Sequence, residues 1–125
     1  RALTEAKVGC VLGCGGARDA IKRPAMGRIA AENSDHLVVT DDNPRTEDPA
    51  VIRAAVLAGA REVAAGNVRE VGDRGEAIAT VVAAAQPGDT VMILGKGHET
   101  GQEIAGTIHP FDDRVVAREA LEHRP

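Results

Sequence analysis

Short apolar runs alternate with longer segments of helical periodicity along this chain of 125 residues. The runs at residues 7–12, 36–40, 62–64 and 90–94 are rich in Val, Ile and Leu, and few polar residues interrupt them. Such runs, bounded by polar or glycine-containing segments, predict short buried strands. Near-continuous apolar strands are typical of parallel sheets that are covered on both faces.

Helical segments are predicted between and after these strands. One lies near residues 25–32, after Pro24, and a second begins at Asp48-Pro49, a helix cap followed by proline at the first helical position. A third covers residues 74–85, and a fourth covers residues 112–122 and starts from an aspartate cap. The residues predicted to be buried from the last three helices are Ile52, Ala55, Val56, Gly59, Ile78, Val81, Val82, Ala85, Val116, Ala117, Ala120 and Leu121. The alternation predicts one α/β domain over residues 1–125, with a mainly parallel sheet and a short hairpin or antiparallel edge at residues 102–108.

Composition narrows the range of functions. A formal net charge of −4, one Phe and no Trp or Tyr predict neither a nucleic-acid partner nor a membrane partner. No apolar run approaches the roughly 20 residues that span a bilayer, and no secretory signal opens the chain. Cys10 and Cys14 are too few for a disulfide framework and predict a reducing cytoplasm, and neither is interpreted as a nucleophile. The chain begins with Arg1 rather than Met, which indicates a fragment of a longer protein.

Ligands of α/β domains bind beyond the carboxyl ends of the strands, so the loops after residues 12, 40 and 94 are the first candidates for function. The first loop, "GCGGARDAIKRPAMG" at residues 13–27, combines glycines with the cations Arg18, Lys22 and Arg23. It lacks the Gly-Lys-Ser/Thr ending of a P-loop, and Arg18 stands where the dinucleotide fingerprint needs glycine. A tight turn with solvated cations remains the alternative.

The second loop contains the run "VVTDDNPR" at residues 38–45. Pro44 fixes its own φ and holds Asn43 extended with its amide projecting, and Arg45 offers a planar fork that matches a carboxylate. The aspartates before them can accept hydrogen bonds from an ammonium group. This combination predicts recognition of the zwitterionic end of an amino acid. The alternative is a capped turn in which Arg45 pairs with Asp42 or Glu47.

The third loop is "GKGHE" at residues 95–99. Gly95 and Gly97 can expose backbone N–H groups, and Glu99 can hold an amine. His98 is not interpreted as a metal ligand, because the other histidines show no ligand spacing. A glycine-rich turn with an incidental histidine is the alternative.

Together, "GCGGARDAIKRPAMG", "TDDNPRTEDP", "GKGHETGQEI" and "FDDRVVAREAL" resemble the C-terminal domain of the Mur ligases, and among these the enzymes that add meso-diaminopimelate to the peptidoglycan stem. The resemblance runs from about residue 7 to 121, and "DNPR" is its most specific element. It implies a Rossmann-like three-layer domain of an ATP-dependent acid–amino-acid ligase. The central ATPase domain and the N-terminal UDP-binding domain of such ligases are absent from this chain, so this chain alone is not expected to catalyse ligation.

The resemblance also implies roles for individual residues. Arg45, helped by Asn43, would bind the far carboxylate of diaminopimelate, and lysine would be rejected because it lacks that group. The whole ligase would use ATP, Mg²⁺ and a UDP-N-acetylmuramoyl dipeptide, with Lys22 and Arg23 on the nucleotide side. Ala17 departs from the family's usual Asp, which removes a partner for the neighbouring cations. The implied diaminopimelate pocket consists of Arg18, Asp42, Asn43, Pro44, Arg45, Gly95 and Glu99.

Two other functions remain open from the sequence. A free-standing module that binds an amino acid or phosphate would share only the fold. The second possibility is an amide ligase domain of the folate or cyanophycin type. The joint presence of "DNPR" and "GKGHE" argues against it.

Overall fold

The computed structural model describes residues 6–16, 20–95 and 100–123. Within these ranges no helix is both long and apolar enough to cross a bilayer. Short 3₁₀ turns, Ala20–Lys22 and Ala65–Asn67, precede the first helix and follow the second. The elements in chain order are β1 (Val8–Cys14), α1 (Arg23–Glu32), β2 (His36–Asp41), α2 (Pro49–Ala64), β3 (Val68–Glu70), α3 (Arg74–Ala84), β4 (Thr90–Leu94), β5 (Gly101–Ile104), β6 (Thr107–Pro110) and α4 (Asp113–Glu122).

The first four strands form a parallel sheet in the order β3-β2-β1-β4. Cys14 pairs with Asp41 and Leu12 pairs with Leu94, so β1, β2 and β4 end at the same edge. The strand order reverses between β1 and β4, and crevices at such reversals are where open α/β sheets bind ligands. The predicted α/β class with a mainly parallel sheet is confirmed.

Two apolar clusters cover the two faces of this sheet and give the domain three layers. Cys10 and Leu12 face α1 and α2, whereas Val11 between them faces α3. This alternation follows from the two-residue period of a strand. Aspartates at positions 48, 73 and 112 accept backbone N–H groups at the starts of α2, α3 and α4, which satisfies donors that a helix leaves unpaired.

Two predictions from the apolar pattern are wrong. Residues 62–64 belong to α2, and the third strand is Val68–Glu70. The helical period of α2 extends through Ile52, Val56 and Ala60, so a short run at its end continues the helix. Leu121 was expected to be buried but is 58% exposed, because α4 packs inward through other residues, including Val116 and Ala117.

The predicted hairpin is present as β5 and β6, which pair antiparallel in a separate two-stranded sheet. It is not an edge of the main sheet. Ala105 and Gly106 connect the strands with φ of 50° and 81°, the signs that a type I′ hairpin turn requires. An isolated parallel bridge between Arg45 and Ile104 joins this hairpin to the loop after β2.

Close packing of α1 against α2 gives a first prediction. A Cβ atom at Gly59 would overlap the carbonyl oxygen of Pro24, whereas a Cβ at Gly66 would meet open space. We expect Gly59→Ala to lower the free energy of unfolding by about 2 kcal/mol. The cost of moving α1 away from α2 is larger than the gain from the higher helix propensity of alanine. Gly66→Ala should change it by less than about 0.5 kcal/mol. Urea unfolding of both variants checks this, and equal effects would contradict the packing argument.

Candidate functional site

The described residues that directly follow β1, β2 and β4 lie at one edge of the sheet. The backbone N–H of Gly16 donates to the carbonyl oxygen of Asn43 at 2.7 Å. Gly95 has a φ of 113°, and a Cβ there would overlap the carbonyl oxygen of Gly13. Only glycine combines this backbone conformation with so close an approach. The first residues of the three candidate loops therefore lie at one edge of the sheet, which we call the rim, and residues 17–19 and 96–99 lie outside the described ranges.

The hairpin is hydrogen-bonded to residues 42–45, which we call the recognition loop. Asn43 Oδ1 accepts the N–H of Glu103 at 2.7 Å, and Gln102 Nε2 donates to the carbonyl oxygen of Asp42 at 2.7 Å. The backbone N–H of Arg45 donates to the carbonyl oxygen of Glu103 at 2.9 Å, and the carbonyl oxygen of Arg45 accepts the N–H of Ala105 at 2.6 Å. Pro44 is fully buried. The loop is therefore held on both sides, by Gly16 of the first loop and by the hairpin.

Asn43 is placed differently from its prediction. Its amide was expected to project from the loop, but the residue is 6% exposed and its side-chain oxygen fixes the hairpin. Its proposed help in binding a carboxylate remains a prediction.

Arg45 adopts a left-handed backbone conformation with φ of 56°. Its Nη1 donates to the carbonyl oxygens of Gly16 at 2.9 Å and Asn43 at 3.2 Å, which occupies both hydrogens of that nitrogen. Within the described ranges, Nε and Nη2 make no hydrogen bond, and the acidic neighbour of Arg45 is Glu103, with Oε1 3.9 Å from Nε. The guanidinium is thus held along one edge and open along the other.

Three other described arginines near the rim have carboxylates at hydrogen-bond distance, from 2.6 to 2.9 Å. Their charges are already balanced by the fold, so they serve structure. Arg45 differs from them because its acidic neighbour lies 3.9 Å away, beyond hydrogen-bond distance. The paired partners are Glu47 for Arg23, Asp41 and Glu70 for Arg53, and Asp113 for Arg74.

This pairing changes the interpretation of the cations in the first loop. Arg23 is 3% exposed, binds Glu47 through two nitrogens and also donates to the carbonyl oxygen of Gly15 at 3.0 Å. Hydrogen bonding to Glu47 raises the pKa of Arg23 above the ordinary value of an arginine. A guanidinium so engaged is a structural tie, and we do not assign it to a nucleotide. Lys22 is exposed and borders a cavity of about 230 Å³ beside Gly95, and its nucleotide contact stays a prediction.

Several predicted residues fall outside the described ranges. Arg18 and Glu99, both assigned to the diaminopimelate pocket from sequence, lie there, together with Ala17, Gly97 and His98. Asp42 is 6% exposed and lies directly before Asn43 in the recognition loop.

A buried ion pair beneath the rim was missed from sequence. Arg74 and Asp113 are 1% and 4% exposed and form two hydrogen bonds of 2.8 and 2.7 Å. Arg74 also donates to the carbonyl oxygens of Asp41 at 3.1 Å and Leu94 at 3.3 Å, the last residues of β2 and β4. It therefore fastens the two strands from which the second and third loops emerge. In the sequence both residues read only as helix starts, with no local signal that they meet.

The cysteines behave as core residues. Cys10 and Cys14 are buried free thiols, and Cys14 Sγ lies 3.8 Å from Met26 Sδ. Burial raises the pKa of Cys10 to about 11 and also raises the pKa of Cys14. Because the thiolate is the nucleophilic form, both are poorly reactive at neutral pH.

A cavity of about 360 Å³ lies between the recognition loop and the hairpin. Its size and polar lining suit a small charged molecule rather than an extended apolar one. The open edge of Arg45, on the recognition loop, and the carboxylate of Glu103, on the hairpin, bring opposite charges to the lining of this cavity. Its lining residues are Asn43, Arg45, Thr100, Gly101, Glu103 and Ile108.

Fold and rim together describe a three-layer α/β domain with a charged pocket at the strand ends. Residues 1–97 match the family described as Mur ligase, glutamate ligase domain, so the chain belongs to that family.

The chain is similar to individual ligases of diaminopimelate. It is 56% identical to the UDP-N-acetylmuramoyl-L-alanyl-D-glutamate–2,6-diaminopimelate ligase of Streptomyces avermitilis, over 98% of this chain and 25% of that protein. It is 53% identical to the ligase of the same name from Corynebacterium efficiens, over 98% of this chain and 24% of that protein. A solved structure of such a ligase superposes with a TM-score of 0.80 at 44% identity, covering 93% of this chain and 24% of the other. The chain thus spans about a quarter of the length of these relatives.

Proposed function

We propose that this chain is the amino-acid-binding domain of an ATP-dependent UDP-N-acetylmuramoyl-L-alanyl-D-glutamate–2,6-diaminopimelate ligase, and that it binds meso-diaminopimelate. The observation that carries the proposal is Arg45, whose open guanidinium edge borders the cavity between the recognition loop and the hairpin.

The geometry of Arg45 suits a carboxylate at the end of a small ligand. Two nitrogens on one edge of a guanidinium match the two oxygens of a carboxylate. The other edge is bound to the carbonyl oxygens of Gly16 and Asn43, so little side-chain entropy is lost when a ligand arrives. The pocket is therefore preorganised for a carboxylate.

Diaminopimelate and lysine differ at this point. Diaminopimelate carries a second carboxylate at its far end, whereas lysine has none. Lysine in the same position would cover the open edge of Arg45 without satisfying its N–H groups, and an unmet charged donor is costly. The site is expected to bind diaminopimelate more tightly than lysine because of this carboxylate.

Further ligand contacts follow only from the family resemblance, on residues that are not among the described lining residues of the cavity beside Arg45. Asp42, the carbonyl oxygen of Gly95 and Glu99 would accept hydrogen bonds from ammonium groups, and Arg18 would bind the second carboxylate. Pro44 would keep the recognition loop rigid.

In the proposed reaction, the amine of diaminopimelate attacks the acyl phosphate of the UDP-N-acetylmuramoyl dipeptide, an amide bond forms, and phosphate leaves. ATP supplies the phosphoryl group, and Mg²⁺ would neutralise phosphate charge. Within the described ranges no three His, Cys, Asp or Glu residues cluster as metal ligands. From the family resemblance, the central and N-terminal domains of the longer ligases would hold ATP, Mg²⁺ and the UDP-linked substrate, with Lys22 near the nucleotide, and we do not expect this chain alone to ligate. The reducing cytoplasm is the proposed location.

Calorimetric titration of the complete natural polypeptide that carries this chain tests the proposal. We expect meso-diaminopimelate to bind at least about 30-fold more tightly than L-lysine, which corresponds to about 2 kcal/mol for one unmet charge. The two ligands differ at the far carboxylate, so lysine is the matched control. Equal affinities would contradict the proposed function.

A further inference from the structure

Glu103 lies in the hairpin wall of the cavity, opposite the open edge of Arg45. Its backbone N–H donates to Asn43 Oδ1 at 2.7 Å, and its carbonyl oxygen accepts from the N–H of Arg45 at 2.9 Å. These two bonds fix the position of Glu103 relative to Arg45. Its side chain is 36% exposed and borders the cavity.

The two charges face each other without a hydrogen bond. Glu103 Oε1 lies 3.9 Å from Arg45 Nε, beyond the length of an N–H···O hydrogen bond. A ligand carboxylate that binds the open edge of Arg45 would therefore lie beside the carboxylate of Glu103. Two carboxylates this close repel each other in a partly buried site.

An ammonium group on the same carbon as the ligand carboxylate would remove this conflict. The carboxylate would neutralise Arg45, and the adjacent ammonium would donate to Glu103. The pair of side chains is thus complementary to the zwitterionic end of an α-amino acid and unfavourable for a plain carboxylate end.

We propose that Glu103 is a specificity-determining residue that receives the ammonium group flanking the carboxylate bound by Arg45. This inference rests on the proposed function, in which Arg45 binds the far carboxylate of diaminopimelate. The cavity then distinguishes diaminopimelate from 2-aminopimelate, which has the same chain and both carboxylates but no far ammonium group.

A purely structural role for Glu103 makes a different prediction. A partly exposed ion pair contributes little to stability, and its removal would weaken all ligands alike or none. Only a direct contact with the ammonium group changes the ratio between two ligands that differ in that group.

The test compares meso-diaminopimelate with L-2-aminopimelate by calorimetric titration of the complete natural polypeptide. The wild type is expected to favour meso-diaminopimelate, and Glu103→Gln is expected to reduce that preference about tenfold, because it removes both the attraction for ammonium and the repulsion of a bare carboxylate. Glu122→Gln removes the same charge at the exposed end of α4 and should leave the ratio unchanged. Glu103→Asp keeps the charge and should retain part of the preference.

The outcomes separate the two claims. A ratio in Glu103→Gln equal to that of the wild type would overturn the role of Glu103, even where meso-diaminopimelate still binds more tightly than lysine. A wild type that binds meso-diaminopimelate no better than lysine would overturn the proposed function and this inference with it.

Discussion

Replacing Asp113 by Asn is expected to lower the free energy of unfolding by about 3–5 kcal/mol. Asparagine keeps the shape of the side chain but cannot balance the charge of Arg74, which is 1% exposed. Removing one partner of a buried ion pair leaves an uncompensated charge in the interior, and that cost dominates the effect. Since domains of this size are stable by only about 5–15 kcal/mol, urea unfolding should show a large shift in midpoint.

Two further variants identify the cause. Glu62→Gln breaks the exposed pair with Arg28 and should cost less than about 1 kcal/mol. The double replacement Arg74→Met with Asp113→Leu removes both buried charges but also the donors to the carbonyl oxygens of Asp41 and Leu94. It should therefore recover only part of the loss. Full recovery would show that the ties to the strand ends contribute nothing.

Replacing Arg45 by Gln is expected to weaken meso-diaminopimelate binding by about 30- to 150-fold, or about 2–3 kcal/mol, and to strengthen lysine binding, because the charged donor that lysine leaves unmet is removed. Glutamine cannot form the bidentate, charged contact with the far carboxylate. The expected loss of binding free energy lies in the lower part of the range for truncating one partner of a charge pair, because the Arg45 side chain is 22% exposed. Calorimetric titration of both ligands, in the polypeptide used above, measures the change in their ratio.

Two controls accompany this variant. Arg118→Gln removes the same charge from an exposed position on α4 and should not alter the ratio. Arg45→Lys keeps the charge without the fork and should fall between wild type and Arg45→Gln. An unchanged preference in Arg45→Gln would remove Arg45 from its proposed role, provided that thermal unfolding shows the variant to be folded.

The sequence predicts the scaffold well because its main signals are local. The run at residues 90–94 matches β4, and the helix predicted at residues 74–85 from its apolar stripe matches α3 within one residue. The end-of-strand rule for parallel sheets then places the loops after β1, β2 and β4 together. The error at residues 62–64 arises because three residues are too few to separate the last turn of a helix from a strand.

The site is less predictable, because an arginine carries no local sign of its partner. Arg23 and Glu47 are 24 residues apart, Arg74 and Asp113 are 39 apart, and Gln102 and Asp42 are 60 apart. The sequence alone indicates that the guanidinium of Arg45 suits a carboxylate. Only the fold shows that the charge of Arg23 is already balanced by Glu47. Glu103 was overlooked because its importance comes from the hairpin's attachment to the recognition loop.

The attachment of the hairpin to the recognition loop separates support of that loop from the stability of the main sheet. The hairpin forms its own two-stranded sheet and supports the recognition loop, whereas the apolar clusters and the Arg74 ties stabilise the main sheet. Substitutions in the hairpin should therefore retune which amino acid is accepted at little cost to the rest of the molecule. Under the proposed function, the segment that selects the amino acid and the framework that sets the stability of the domain are different parts of the chain.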